Sequence, residues 1–367
     1  MACALDQLPR TEEWLEGQSV HWASSGVQIY LQQGDTIVLD EGFGWASVNV
    51  PMTRETINLW MSSGKPITAV AVLQLIEQGL FELSTLVADI IPEFTVHGKD
   101  NISILHLLTH TAGFRAADMN WRPVAWDQAI AQVCAVRPEP RWIPGEKAGY
   151  QSDGSWYMLG EIVARVTGDS LPVYLKRKIL TPLGMNHSWL GIPESAIVSY
   201  GDGIAEVLNL TSDPPVLMDG VNGADGLSVI RPGGNMRGPV SDLGKFYRAL
   251  LQGGGAVLRA ETVDLMTRRH REGMHDDSFR HVVDCGLGVI INSNRYGAET
   301  VPYGYGLMAS DATYGHSGRE SSVGFADPEH DLVVGVVFNS MPGEVMHQMR
   351  MRALLQCMYE DLSLGSS

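Results

Sequence analysis

A serine and a lysine three residues apart, Ser62 and Lys65 in the run Trp60-Met61-Ser62-Ser63-Gly64-Lys65-Pro66, have the clearest chemical potential in this chain. One helical turn stacks positions i and i+3 on the same face. An amine at Lys65 can therefore touch the hydroxyl of Ser62. A serine hydroxyl is a poor nucleophile until a neighbour takes its proton. The spacing alone is a weak signal, because a chain of this length carries roughly one such match by chance. The chain has only six lysines, however, and Lys65 alone follows a serine at this distance. The plain alternative is a solvated lysine at an exposed helix start.

Two further segments carry reactive groups. Tyr150 lies in the turn-rich run Pro144 to Ser152, just before a helical pattern. A phenol near an ammonium can be held partly ionised and act as a general base. The alternative is a tyrosine that anchors a loop through its hydroxyl. The third segment is Tyr314-Gly315-His316-Ser317-Gly318-Arg319. Glycines on both sides of His316 let the backbone approach a ligand. An exposed edge strand there could pair with an extended substrate, and one of its N–H groups could hold an oxyanion. Its alternative is a turn between strands.

Other reactive residues read as structural. His106 and His110 lie four apart without a following glutamate, so they are expected to be packed histidines rather than zinc ligands. His270, His275, Asp276 and Asp277 read as a charged loop, with a metal site the lesser alternative. Trp121, Trp126 and Trp142 read as core. Gly-x-Ser-x-Gly, Walker and dinucleotide fingerprints are absent.

The elements that must position these groups follow from periodicity. Gly26–Gln33 and Thr36–Glu41 alternate around Gly34-Asp35 and predict a hairpin. Ile67 to Ile76 is apolar nearly all round, with Pro66 in the first turn and Gly79 as a stop, which predicts a buried helix. Helical patterns cover Ile102 to His110, Asp153 to Thr167, Leu171 to Leu180, Val240 to Leu251 and Glu344 to Leu362. Strands are expected at Leu287–Ile291, Ser321–Ala326 and Leu332–Phe338. The order of strands, helices, strands and a last helix predicts an α/β (α+β) fold. An antiparallel sheet drawn from both chain ends would have a helical lobe inserted between them.

The chain has 367 residues, 44% of them hydrophobic, enough for one large domain or two lobes. A formal net charge of −16 without a basic cluster argues against nucleic acid and anionic membrane surfaces as partners. Cys3, Cys134, Cys285 and Cys357 are far apart, without metal spacing, and read as reduced thiols. The N-terminus lacks a charged region followed by an apolar run, so a cytoplasmic location is expected.

Taken together, Ser62-x-x-Lys65, Tyr150-x-Ser152 and His316-Ser317-Gly318 resemble the serine β-lactamase and penicillin-binding-protein superfamily. The similarity is to its class C-like branch of class C β-lactamases, D-aminopeptidases, DD-carboxypeptidases and family VIII esterases. Ile104 to Phe114, Pro182 to Met185, Pro239 to Phe246 and Gly324 to Pro328 also resemble stretches of that superfamily. The resemblance implies one catalytic domain over 1–367, a mostly antiparallel sheet with helices on both faces, with a sheet lobe of about 1–80 and 235–367 and an inserted helical lobe of about 81–234. It implies Ser62 as acylated nucleophile, Lys65 as its proton partner and Tyr150 as general base and acid. It implies substrate contacts from Ser152, His316, Ser317, Gly318 and Arg319, with an oxyanion held by the N–H groups of Ser62 and Arg319. No metal or cofactor is implied, and the partner is a small ester, amide or lactam.

Three positions depart from that pattern. Gly64 stands where many relatives have threonine, a change expected to bear on helix packing. Ser152 replaces an asparagine that binds a lactam side-chain amide. His316 replaces a lysine and implies a weaker, pH-dependent positive charge. These changes favour an esterase. A β-lactamase or D-amino-acid peptidase, an acyltransferase to a small alcohol, and a non-catalytic binding module are the alternatives.

Overall fold

Alternating apolar residues at the start of the chain pair as expected: Gly26–Gln33 (β1) and Thr36–Ser47 (β2) form an antiparallel hairpin, and β2 runs past Glu41 to Ser47. The structure, a computed structural model, describes residues 4–18, 25–115 and 124–364. The remaining strands of the main sheet are Val50–Pro51 (β3), Asp284–Cys285 (β4), Ile290–Ile291 (β5), Tyr314–Gly318 (β6), Ser322–Asp327 (β7) and Leu332–Phe338 (β8). Their order is β4-β5-β6-β7-β8-β1-β2-β3, antiparallel throughout. The two chain ends meet where β1 pairs with β8, with Ile29 opposite Val336.

Every residue of β8 is buried. Antiparallel sheets usually leave one face wet and then alternate in polarity. Here both faces are covered, so Leu332 to Phe338 is an almost unbroken apolar run. The helices involved are Pro9–Gln18 (α1), Lys65–Glu77 (α2), Gly154–Thr167 (α3), Val240–Leu251 (α4) and Glu344–Asp361 (α5). Val334, Val336 and Phe338 pack with Leu15 of α1 and Leu354 and Leu355 of α5. Val333 and Val337 share the opposite core with Val240, Leu243 and Phe246 of α4. Glycine lets α4 approach the sheet. A methyl group at Gly244 would lie 2.3 Å from the Tyr30 ring, and one at Gly324 would lie 2.6 Å from Leu243 and Tyr247.

Helix α2 is enclosed as its composition requires. Lys65 through Leu75 are all buried, and the helix packs on α3. It stops at Gly79, which takes a φ of 70°.

Several elements differ from the sequence reading. A helix, α1, precedes β1. Ile104–Leu108 is shorter than expected, because His110 adopts a φ of 57° and leaves the helix. Leu171–Leu175 continues as a π turn over Lys176–Leu180. The strand expected at Leu287 shrinks to β5, since Gly288 takes a φ of 73°. Tyr314–Gly318 is a strand in its own right, not a turn. Cys134, Cys285 and Cys357 are unbridged, while Cys3 and Trp121 lie outside the described residues. Among the described residues, no helix is long and apolar enough to cross a membrane.

Candidate active site

Ser62 sits in a short 3-10 turn, Met61–Gly64, that feeds directly into α2. Met61, immediately before it, has a φ of 48°, a conformation that costs a non-glycine residue about 1–3 kcal/mol and clusters at functional sites. Neighbouring contacts hold this turn in place. The Trp60 indole donates to the Gly238 carbonyl at 2.9 Å, and Ser322 Oγ donates to the Trp60 carbonyl at 2.6 Å. Ser63 Oγ and Ser322 Oγ lie 2.9 Å apart. A methyl group at Gly64 would lie 2.4 Å from Met236 Cβ, so nothing larger than glycine fits there without movement. A threonine at this position would require a different neighbour.

The Ser62 hydroxyl is a meeting point. Lys65 Nζ lies 2.8 Å from Ser62 Oγ, and the Tyr150 hydroxyl lies 2.9 Å from it. Lys65 is wholly buried and also donates to the carbonyl of Gly233, which lies 3.4 Å from Ser62 Oγ. The rings of Tyr150 and Trp156 lie 5.4 and 5.5 Å from the lysine nitrogen.

Tyr150 is placed by its backbone and by stacking. Its N–H donates to Asp276 Oδ1 at 3.0 Å. The same carboxylate oxygen accepts the N–H groups of Ser278 and Phe279, and its partner oxygen lies 3.0 Å from Arg271. The ring lies 4.6 Å from that of His110 and 4.8 Å from that of Phe279. Burial raises the phenol well above its usual value, against a smaller lowering by the hydrogen bond with Ser62. The expectation of a partly ionised phenol is therefore corrected: in this enclosure the hydroxyl keeps its proton and donates to Ser62.

His316, Ser317 and Gly318 lie on β6. A methyl group at Gly318 would lie 2.5 Å from the Trp60 carbonyl, so glycine brings this strand against the serine turn. Ser317 Oγ donates to the Tyr303 carbonyl at 2.9 Å. β6 is not a free edge along its whole length: β5 pairs with Tyr314 and Gly315, and the pairing stops before His316. Among the described residues, the N–H groups of Ser62 and Arg319 make no donation within the backbone network.

The expected charge on His316 is also corrected. The imidazole is buried, and this, with Lys65 nearby, pushes its pKa down to about 3. It is neutral near pH 7. Its Nδ1 lies 2.7 Å from the Ser317 carbonyl, so that nitrogen carries the hydrogen.

These groups line a cavity of about 720 Å³, within the size range of small-molecule sites. Ser62, Tyr150, Ser152, His316, Ser317 and Arg319 line it, together with apolar side chains such as Met218, Phe279, Val283 and Ile290. Gly318, also expected to contact substrate, is not among the lining residues and instead packs against the serine turn. Asp153 and Arg231 form a buried bidentate pair, at 2.7 and 2.6 Å, along the same wall.

Four of these groups escape sequence reasoning. Asp276 lies in the charged loop but serves the backbone of Tyr150, and no group of three potential metal ligands gathers among the described residues. His110 accepts the N–H of Gln151 at 3.1 Å and stacks on Tyr150. Gly233 acts through its carbonyl, for which Pro232-Gly233-Gly234 is the one visible turn signal. The Asp153–Arg231 pair has no spacing signature. His106 caps the start of Ile104–Leu108. Trp126 and Trp142 are half-buried and donate to Glu161 and to the Thr111 carbonyl.

Comparison with known proteins gives a consistent picture. The beta-lactamase family model matches residues 17–357. A protein of Escherichia coli O157:H7, named as a candidate D-alanyl-D-alanine carboxypeptidase, is 26% identical over 383 aligned residues, spanning 91% of this chain and 82% of its own. The crystal structure of a penicillin-binding-protein homologue from Caulobacter crescentus superposes with a TM-score of 0.80 at 24% identity, covering 97% of this chain and 98% of its own. A family VIII carboxylesterase gives a TM-score of 0.74 at 25% identity, with 96% and 97% covered. The chain belongs to the beta-lactamase family, a superfamily of serine hydrolases.

Proposed function

We propose that this member of the beta-lactamase family is an esterase that forms an acyl-enzyme on Ser62 and hydrolyses small carboxylic esters. One observation carries the reading: an amine and a phenol, from distant parts of the chain, both lie within hydrogen-bond reach of one serine oxygen at the edge of a cavity.

In this reading Ser62 Oγ attacks the ester carbonyl, and its proton passes to Lys65 Nζ, which serves as base in the form of the enzyme where that nitrogen is unprotonated. The N–H groups of Ser62 and Arg319 hold the oxyanion, at about 3 kcal/mol per donor. The tetrahedral intermediate collapses, the C–O bond to the leaving alcohol breaks, and the Tyr150 hydroxyl protonates that alkoxide. Water then attacks the acyl carbonyl and gives a proton to the Tyr150 phenolate. The Lys65 ammonium returns a proton to Ser62 Oγ as the acid departs. Protons balance over the cycle without a metal or organic cofactor.

Replacement of Ser62 by alanine is expected to abolish acylation, seen as loss of the adduct by intact mass. Turnover should fall by several orders of magnitude, as removal of a serine nucleophile does. Near-normal turnover by Ser62→Ala would remove the reading.

A second reading, a peptidase acting on D-alanyl peptides, is favoured by the name of the E. coli relative. The neutral His316 speaks for the ester reading, because it puts no cation on β6 to meet a peptide carboxylate. Parallel assays with p-nitrophenyl esters and D-alanyl-D-alanine peptides separate the two.

A further inference from the structure

We infer that this cavity selects substrates without a carboxylate near the scissile bond and favours those offering a hydrogen-bond donor to the wall formed by His316 and Glu344. The inference rests on the acyl-enzyme reading of Ser62.

Four features of the wall support it. First, His316 presents no cation. Its Nδ1–H is used by the Ser317 carbonyl, so Nε2 is the lone-pair nitrogen, and that atom is buried without a partner in the chain. A substrate donor that reaches this nitrogen gains a hydrogen bond that the chain itself does not supply. Second, Arg231 is held by both oxygens of Asp153. Third, the guanidinium of Arg319 is 69% exposed, and its Nε lies 3.5 Å from the Glu320 carboxylate. Glu344, whose carboxylate accepts the Tyr303 hydroxyl, lines the same end of the cavity. One cation there faces two carboxylates. Fourth, Lys65 is buried behind Ser62, with its nitrogen directed to Ser62 Oγ and the Gly233 carbonyl.

A carboxylate entering this space gives up its hydration and meets no cation that lacks a carboxylate of its own among the described lining residues. It also meets like charge, at close range from Glu344 and at long range from a chain with a formal net charge of −16. Peptides with a free C-terminus near the reacting bond and lactam acids are therefore disfavoured. Neutral esters bearing a hydroxyl are favoured.

The test uses three p-nitrophenyl esters of matched length. One is the monoester of adipic acid with its far carboxyl free, one has that carboxyl capped as a methyl ester, and one is the 6-hydroxyhexanoate. The wild-type enzyme is expected to favour the capped ester over the free acid by about tenfold or more in kcat/KM, with the hydroxyl ester fastest. His316→Lys and Glu344→Gln should each narrow the capped-to-free ratio by about threefold, and added salt should narrow it in the wild type. Equal rates for the capped ester and the free acid in the wild type overturn the charge selection. A hydroxyl ester slower than the capped one overturns the donor preference. If none of the three labels Ser62, the acyl-enzyme reading falls and takes this inference with it.

Discussion

At the scale of single residues, Tyr150 separates the two halves of the proposed cycle. Its hydroxyl lies 2.9 Å from Ser62 Oγ, and burial keeps it protonated. A phenol so placed suits protonation of the leaving alcohol, and its conjugate base suits activation of water. Tyr150→Phe is therefore expected to lower kcat by about 10²- to 10⁴-fold, the usual span for a positioned acid–base group, with KM falling alongside as deacylation becomes limiting. Acyl adduct should accumulate on Ser62 in this variant, measured by intact mass. A loss below about tenfold would assign the proton transfers to Lys65 alone. The pH profile gives an independent check on His316. With a pKa pushed down to about 3, this imidazole does not titrate between pH 5.5 and 8. Log kcat/KM for wild type and His316→Gln should have the same shape across that interval, whatever their absolute rates. A limb near pH 6.5 present in the wild type and lost in the variant would contradict the neutral assignment. Much at this scale was legible beforehand, because Ser62, Lys65, Tyr150 and His316 are chemically distinctive residue types at informative spacings. Asp276 and Gly233 were not. They act on or through backbone atoms of segments far away in the chain, and a carbonyl has no residue type to betray it.

Between elements, glycine decides how closely the layers approach. Gly244 lies in the interior of α4, where alanine would ordinarily stabilise a helix by about 1 kcal/mol. At this position a methyl group would lie 2.3 Å from the Tyr30 ring of β1. The ring sits in the core between helix and sheet, and overpacking such a contact costs roughly 1–3 kcal/mol. The clash outweighs the propensity gain, so Gly244→Ala should lower stability by about 1–2 kcal/mol in urea unfolding, without a change in the slope. A stabilised variant would mean that the ring yields freely. The hairpin of β1 and β2, the buried helix α2 and the closing helix α5 were readable from period and turn residues. Their ends were less so. Ile104–Leu108 stops early because His110 turns to stack on Tyr150, and β5 is short because Gly288 bends the chain against Ala69. Tertiary contacts made those choices, and local pattern carries no record of them.

Across the whole molecule, the order of strand and helix patterns along the chain foretold a sheet built from both ends. Coverage of both faces of the sheet came from the family resemblance and not from that order, because α1 has little apolar character and is recognisable mainly by where Leu15 packs. Enclosure on this scale has a consequence for acid stability. His110, His316 and His347 are all buried. Burial holds His316 and His347 at about 3 and His110 well below its usual value. In the unfolded chain all three titrate near 6.5. Below that pH the unfolded state binds protons that the folded state refuses, so stability is complete above about pH 6.5 and declines as the pH falls through it. Asp40 and Glu344, whose carboxyls are raised by burial, act in the opposite sense at lower pH. His316 and His347 should each remove about 2 kcal/mol between pH 7.5 and pH 5, a large part of an ordinary stability of roughly 5–15 kcal/mol, and His110 acts in the same direction. Urea unfolding at pH 7.5, 6 and 5 measures the decline. His347 does not line the main cavity, and His347→Gln should reduce the total loss by about 2 kcal/mol regardless of the variant's stability at pH 7.5. Wild type and variant falling by the same amount would show that protons taken up by these imidazoles are not what unfolds the protein in acid.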